Sequence, residues 1–357
     1  MDSSSQQPSS GPPAVPAEVL RPAPVAPRRP RRWPVALGVV LATLLAGSML
    51  LNLVLLALAA SPLDSADSLR EKYLYRDKYR SGAYKVAILN LEGVIIDGDK
   101  FIGTQIEQAA HDDDVRAIVL RVNSPGGTIS GSDYIYHHLK KLAEEKGIPL
   151  VVSMGSLAAS GGYYVSMAVG PTPDTIYAEP TTWTGSIGVI IPHYNIADLM
   201  EKIGADEDSI ASHRLKSMGS ITRPMTEEEK QIFQELVDES FNRFKNIIRS
   251  GRPKFAKDPG ALDALATGQV YTAEQALKYG LIDRIGFLDD AVERAIELAG
   301  LDRGDVTVVE YKPLPTLASL LLGANMRQPG FDLSAMLDLT APRAYYLYSQ
   351  APLVLPQ

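Results

Sequence analysis

"VRAIVLRVNSPGG", residues 115–127, is the stretch that decides the fold. Its first nine residues are apolar at successive positions, broken only by Arg116, Arg121 and Asn123. A strand with that pattern is buried on both faces, which is the mark of a largely parallel sheet with helices on each side. "SPGG" then ends the run. Pro125 stiffens the turn, and Gly126–Gly127 permit positive φ and turn backbone N–H groups outward.

Working outward, the same alternation repeats. "KVAILNLEGVI" from Lys85 reads as a strand, residues 100–111 as a helix and "SGSDYIYHHLKKLAEEK" (130–146) as another helix. "IPLVVSM" is a second buried strand, followed by "GSLAASGGYYVSMA" (155–168) as a loop leading into a helix that Ser160 would start. Further strands are expected at "DTIYAE" and "GSIGVII", and a long helix from Thr226, whose Thr-x-x-Glu is a capping box. "GQVYTAEQALKYGLIDRIGFLDDAVERAIELAG" adds strand, helix, turn and helix. The reading is one α/β domain over 85–310, followed by a C-terminal extension, 311–357, that Pro313, Pro315 and Pro329 keep from forming a long element.

The N-terminal side is of another kind. Residues 1–34 are Pro/Ser/Ala-rich and too poor in large apolar residues to order themselves, so a disordered tail is expected there. "VALGVVLATLLAGSMLLNLVLLALAA", 35–60, carries no charge. As a helix it would reach roughly 39 Å, more than a hydrocarbon core of about 30 Å. Its length exceeds that of a usual signal-peptide core, so a retained anchor is expected. Arg28, Arg29, Arg31 and Arg32 would keep the N-terminus in the cytoplasm, giving a single-pass plasma-membrane protein with everything after residue 60 outside. Residues 61–84 are charged and tyrosine-bearing and read as a helical stalk.

Composition narrows the chemistry. The 357 residues carry a net charge of −7, which offers no basic face for nucleic acid. Cysteine is absent, which excludes thiol catalysis, disulfides and cysteine-based zinc sites. Five histidines remain: His111, His137, His138, His193 and His213.

Ligands of open α/β sheets bind at loops past the carboxyl ends of strands. Two such loops are unusual here, the Gly-Gly turn and the Ala-Ser-Gly-Gly at 159–162. Each alone is commonplace, one as a turn and the other as a tightly packed helix start. Together, on successive strands, they suggest an oxyanion hole between the N–H of Gly127 and that of Ser160, with glycines keeping it open. A serine nucleophile needs a base. That base is a histidine, as in a Ser–His–Asp triad, or a lysine made neutral by burial, and residue types alone leave both open.

At this point the motifs resemble a known family. "NSPGG", "SMGSLAASGGYYVSMA", "TGSIGVI", "SHRLKSMGSITRPMTEEEK" and "GQVYTAEQALKYGLIDRIG" follow in the order and spacing of the SppA-type signal peptide peptidases, over residues 84–311. These are membrane-bound serine–lysine proteases with a fold similar to the Clp protease and crotonase superfamily. The resemblance implies a Clp/crotonase-like sheet core covered by helices. It implies Ser160 as nucleophile, Lys216 as general base, Ser186 as the residue holding the lysine amine, and Gly127 as oxyanion donor. Where relatives often have a glycine just before the lysine bend, this chain has "ASHRL".

The resemblance further implies no cofactor or metal, and peptide substrates such as remnant signal peptides, held as extended strands in shallow pockets for small or aliphatic side chains. It also implies a homo-oligomer whose active sites are built partly from neighbours. The tail "RAYYLYSQAPLVLPQ" (343–357) is expected to dock on a neighbour or across the groove. Three rivals stand beside this reading: a crotonase-like acyl-CoA enzyme, which the anchor argues against; a Clp-like serine–histidine protease; and a catalytically inactive membrane-anchored scaffold of the same fold.

Overall fold

In the computed structural model, residues 33–60, 69–75, 82–96, 100–314 and 345–347 are described. The chain divides into two compact units, Met1–Ser61 and Pro62–Gln357. In the first, one helix is described, α1 (Trp33–Ala60, 28 residues). Thr43 and Asn52 satisfy their polar groups inside it, Thr43 Oγ1 donating to the Val39 carbonyl at 2.7 Å and Asn52 Nδ2 to that of Ser48 at 2.8 Å. Leu44, Leu45, Met49 and Leu50 are about two-thirds exposed. Side-chain surroundings are described for Leu37–Asn52 only. That portion spans about 24 Å as a helix, less than a hydrocarbon core. Among the residues so described, no helix is long and apolar enough to cross a membrane. The expectation for residues 1–34 falls, apart from Trp33 and Pro34, outside the described residues.

The second unit begins β1 (Leu69–Leu74), β2 (Tyr84–Ile95), α2 (Lys100–His111), β3 (Val115–Thr128), α3 (Ile129–Lys146), β4 (Leu150–Ala159) and α4 (Gly161–Ser166). It continues with β5 (Ile176–Ala178), β6 (Trp183–Gly185), α5 (Ala197–Ile203), α6 (Glu227–Gly251), α7 (Pro253–Lys257) and α8 (Pro259–Leu265). Last come β7 (Val270–Thr272), α9 (Ala273–Tyr279), β8 (Arg284–Ile285), α10 (Leu288–Leu298), β9 (Val306–Pro313) and β10 (Tyr345–Leu347).

The described strands form one ten-stranded sheet in the order β1-β9-β2-β3-β4-β5-β8, with β10 on β3, and β6 on both β4 and β7. The central pairings are parallel. Alternate residues of β3 enter opposite cores. Ile118, Leu120 and Val122 pack in the larger one, with Ile102, Leu139, Tyr163 and Phe244 from the covering helices. Ala117 and Val119 pack in the smaller one, under Ala291, Val292, Ala295 and Ile296 of α10. That two-sided burial is why the run is apolar without alternation, and the α/β expectation holds.

Four details differ from expectation. β3 does not end at "SPGG" but runs on to Thr128. Gly126 and Gly127 pair with Val94 and Ile95, and Ser124 with Ala158, across register shifts that accommodate Pro125. β4 likewise extends to Ala159 instead of giving way to a loop. Within the proposed helical stalk, Leu69–Leu74 is an edge strand antiparallel to β9; Arg70 and Lys72 face solvent, in the way edges are protected, while Glu71 accepts from the Lys85 amine at 2.8 Å. "GSIGVII" is not a strand: β6 stops at Gly185, where φ is 85° there and 50° at Ser186, and the chain leaves the sheet. The domain thus draws strands from outside 85–310, namely β1, the end of β9, and β10. Residues 61–68, 76–81, 315–344 and 348–357 of the stalk and extension lie outside the described residues.

Candidate active site

β4 delivers the chain into α4 through Ser160, which is the N-cap of that helix. Its φ of 53° and ψ of −113° are a conformation a non-glycine residue adopts only when its surroundings enforce it. Those surroundings are visible. The Ser160 N–H donates to the Gly185 carbonyl at 2.7 Å, and its carbonyl accepts from the Tyr164 N–H at 2.8 Å. The side chain is 1% exposed, and its Oγ has no hydrogen-bond partner. A strained strand-to-helix turn is a known way to display a reactive serine, and here the hydroxyl is left without a partner.

Gly126 and Gly161 make the opening. A Cβ on Gly126 (φ 98°) would overlap the Tyr346 carbonyl oxygen and lie 2.6 Å from Gly161 N and 3.1 Å from Ser160 Cβ. A Cβ on Gly161 would overlap Ser132 Oγ and lie 3.1 Å from Gly126 Cα. Backbone therefore approaches backbone here with no room for a side chain.

The expected pair of oxyanion donors needs one correction. The Ser160 N–H is committed to Gly185 and is not available. The next N–H, that of Gly161, is the first of α4, has no acceptor within the helix and lies against Gly126. Gly127, the other expected donor, sits opposite Tyr346 in β10. A residue following a nucleophile at a helix start carries a free N–H, and that rule would have found Gly161 in the sequence.

Ser186 comes to the site through the backbone. Its preceding carbonyl holds the Ser160 N–H, while its own N–H donates to Gln269 at 2.7 Å. It is buried, with a positive φ. Lys216 makes no hydrogen bond to Ser160 within this chain. It sits exposed on a short 3-10 turn, Arg214–Ser217, and the Ser160 hydroxyl has no partner of any kind. That turn is held firmly from behind. Arg223 donates to the Ser217 carbonyl at 3.0 Å and to the Glu229 carboxylate at 2.5 and 2.9 Å. Glu229 is buried and caps α6 by accepting from the Thr226 N–H at 2.9 Å. The Arg223 hydrogen bonds hold its carboxyl down to about 2, below the usual glutamate value. Arg214 pairs with Glu228 on the next face.

None of the histidines reaches Ser160 either. His193 lies 3.2 Å from the Ser220 carbonyl, and the His213 ring accepts from the Leu215 N–H. Among the described residues no group of three or more His, Asp or Glu could hold a metal ion.

A feature no short-range pattern signals is what lies on β3. Tyr345–Leu347 runs antiparallel along Gly126–Thr128, Tyr346 opposite Gly127. The chain's own tail thus occupies the strand position beside Ser160, which answers where this part of the extension docks. The Tyr346 ring is fully buried, 5.1 Å from the Tyr164 ring and 4.6 Å from Phe244 by centroids, and its hydroxyl donates to the Ser240 carbonyl at 2.8 Å.

Comparison with known proteins gives this geometry a context. Residues 142–302 match peptidase family S49. A provisionally named signal peptide peptidase SppA of Enterococcus faecium is 38% identical over 226 residues, 63% of this chain and 63% of that one. Protease 4 of Salmonella typhi is 34% identical over 278 residues, 75% of this chain but 42% of that one. A Synechocystis sp. protein with a provisional protease name is 36% identical over 233 residues, 64% of this chain and 81% of that one. The chain thus spans less than two thirds of the length of the first two relatives.

Proposed function

The chain belongs to peptidase family S49, and on that premise we propose that it is a membrane-anchored serine endopeptidase that cleaves apolar peptides, remnant signal peptides among them. One observation carries the reading: a buried, unpartnered Ser160 hydroxyl in a strained turn, beside a glycine-walled notch along which an extended strand already lies. A substrate strand would take the place of β10, adding to the edge of β3 by main-chain hydrogen bonds. Ser160 Oγ would attack its carbonyl carbon, and the N–H groups of Gly127 and Gly161 would stabilise the oxyanion. The proton leaves Ser160 for the Lys216 amine, steadied by Ser186. It passes from there to the departing amine, and water releases the acyl group.

Lys216 is exposed and makes no hydrogen bond to Ser160 in its own chain, which supports a dyad assembled across two copies. Tyr194, Leu199, Ile203 and Ile210, on the segment before Lys216, are each more than half exposed. An apolar surface of that kind marks a protein–protein contact. In this reading α1 is the anchor. All 28 of its residues lack charge and would span about 42 Å, with four arginines immediately before it.

The missing hydrogen bond between Lys216 and Ser160 also favours the rival reading, an inactive scaffold. A fluorophosphonate probe on the full chain in detergent separates the two. The peptidase reading expects covalent labelling of Ser160 and hydrolysis of apolar peptides, both lost in Ser160→Ala, with kcat reduced by roughly 10⁵-fold or more. A chain that oligomerises yet is never labelled is a scaffold.

A further inference from the structure

We infer that the pocket opposite Gly127 selects a tyrosine side chain, so that the preferred peptides carry a phenol at the residue facing Gly127. The inference rests on reading the β3 groove as the substrate groove. It departs from the small or aliphatic side chains that resemblance alone implies.

Three observations carry it. Tyr346, the residue of β10 that faces Gly127, is fully buried. Its ring is enclosed by aromatic neighbours, Tyr164 stacked at 25° and Phe244 tilted at 51°, with Tyr136 packed edge-on against Tyr164 behind them. An aliphatic chain would fill this flat, aromatic-walled space poorly. Beyond the ring, at the floor of the pocket, is a polar group placed for a para-hydroxyl, the Ser240 carbonyl, which accepts from Tyr346 Oη at 2.8 Å. That carbonyl belongs to α6, so its position is set by the helix and does not depend on the occupant.

The wall is fixed as well. The Tyr164 hydroxyl donates to Asp133 Oδ1 at 2.5 Å, and Arg243 grips the same carboxylate at 2.7 and 2.8 Å. Tyr164 therefore cannot swing aside to widen the space without giving up its bond to Asp133, a carboxylate that Arg243 holds in place. A pocket held rigid around a ring, with an acceptor at the depth of the phenolic oxygen, ranks tyrosine above phenylalanine and both above alanine.

The test is a binding measurement that needs no hydrolysis. The full chain carries Ser160→Ala, alone or with Tyr346→Ala or Tyr346→Phe to weaken its own tail's hold. The probe is a fluorescent Arg-Ala-Tyr-Tyr-Leu-Tyr-Ser peptide, the sequence of residues 343–349. Against Tyr346→Ala the peptide should bind at least about tenfold more tightly than against the chain with its tail intact, and Tyr346→Phe, which preserves packing, should fall between. Replacing the second tyrosine of the peptide by phenylalanine should weaken binding about fivefold, and by alanine about 100-fold. An alanine peptide that binds as well as the tyrosine peptide overturns the proposal, as does affinity indifferent to residue 346. Either result would leave Ser160 labelling untouched. A chain that ranks the peptides as expected but is never labelled keeps the pocket and loses the peptidase.

Discussion

The surroundings of Ser160 and those of Lys216 are built to opposite standards. Around Ser160 the backbone is held by hydrogen bonds of 2.7–2.8 Å to Gly185 and Tyr164, and the side chain is 1% exposed. Tyr163, Tyr164 and Val165 behind it are fully buried. Around Lys216 the chain runs from Ile190 to Pro224 with only α5 and a 3-10 turn as regular structure, and no residue of α5 is buried. Tyr194, Leu199, Ile203 and Ile210 on it face outward. Ser160 is thus positioned by the core of its own chain, whereas Lys216 rests on an exposed segment. On the proposed reading, half of the site is complete in one copy and half is prepared for another.

The sharpest way to break that contrast is at the notch. Gly126→Ala puts a methyl group where the Tyr346 carbonyl and Gly161 N now sit, on a backbone with φ 98°. Peptide hydrolysis should fall by at least about 100-fold, as when an oxyanion donor is lost. Thermal unfolding should show a loss of about 2 kcal/mol from strain. Unchanged kcat would mean that nothing needs to approach this backbone.

A smaller effect is expected at the other region. Leu199→Glu with Ile210→Glu places charges on side chains now 56% and fully exposed. Melting should be unchanged, because neither residue supports the core. Light scattering should show smaller species, and activity should drop about 30-fold, as expected when anchors of an interface are removed. An assembly of unaltered size would move the contact elsewhere.

The smallest effect lies behind Lys216. The carboxyl of Glu229 is held at about 2, below the ordinary glutamate value of 4.5, chiefly by its hydrogen bonds from Arg223 and also by those from Thr226. Such a lowered value adds stability that is complete above pH 4.5 and disappears as pH falls through about 2. Glu229→Gln should cost about 1–2 kcal/mol at pH 7, given the partly exposed Arg223, and should flatten the decline of the melting temperature between pH 4.5 and 2. Parallel pH profiles of the two proteins would show that this pair does not hold the turn.

How far sequence reached follows the same divide. β2, β3, β4 and the Ser160 turn were legible because burial on two faces and glycine at a close approach leave local signatures. The strand at 69–74 reads as helix in the sequence because Arg70, Glu71 and Lys72 look like a solvated face. What makes them a strand is pairing with β9, far along the chain. The Ser160 N–H is not free to donate because Gly185, from a different strand, takes it. The strand on β3 and its pocket were invisible for the same reason. Tyr346 has meaning only beside Gly127, Phe244 and Ser240.

Whether the base arrives from a second copy is decided most directly by complementation. The chains Ser160→Ala and Lys216→Ala are each purified, then mixed under conditions that let subunits exchange. Neither should hydrolyse peptide alone. In a head-to-tail assembly the mixture should recover roughly a quarter of native activity, from interfaces that join an intact serine to an intact lysine. A mixture as silent as its components, in assemblies shown to contain both chains, would contradict a site shared between neighbours.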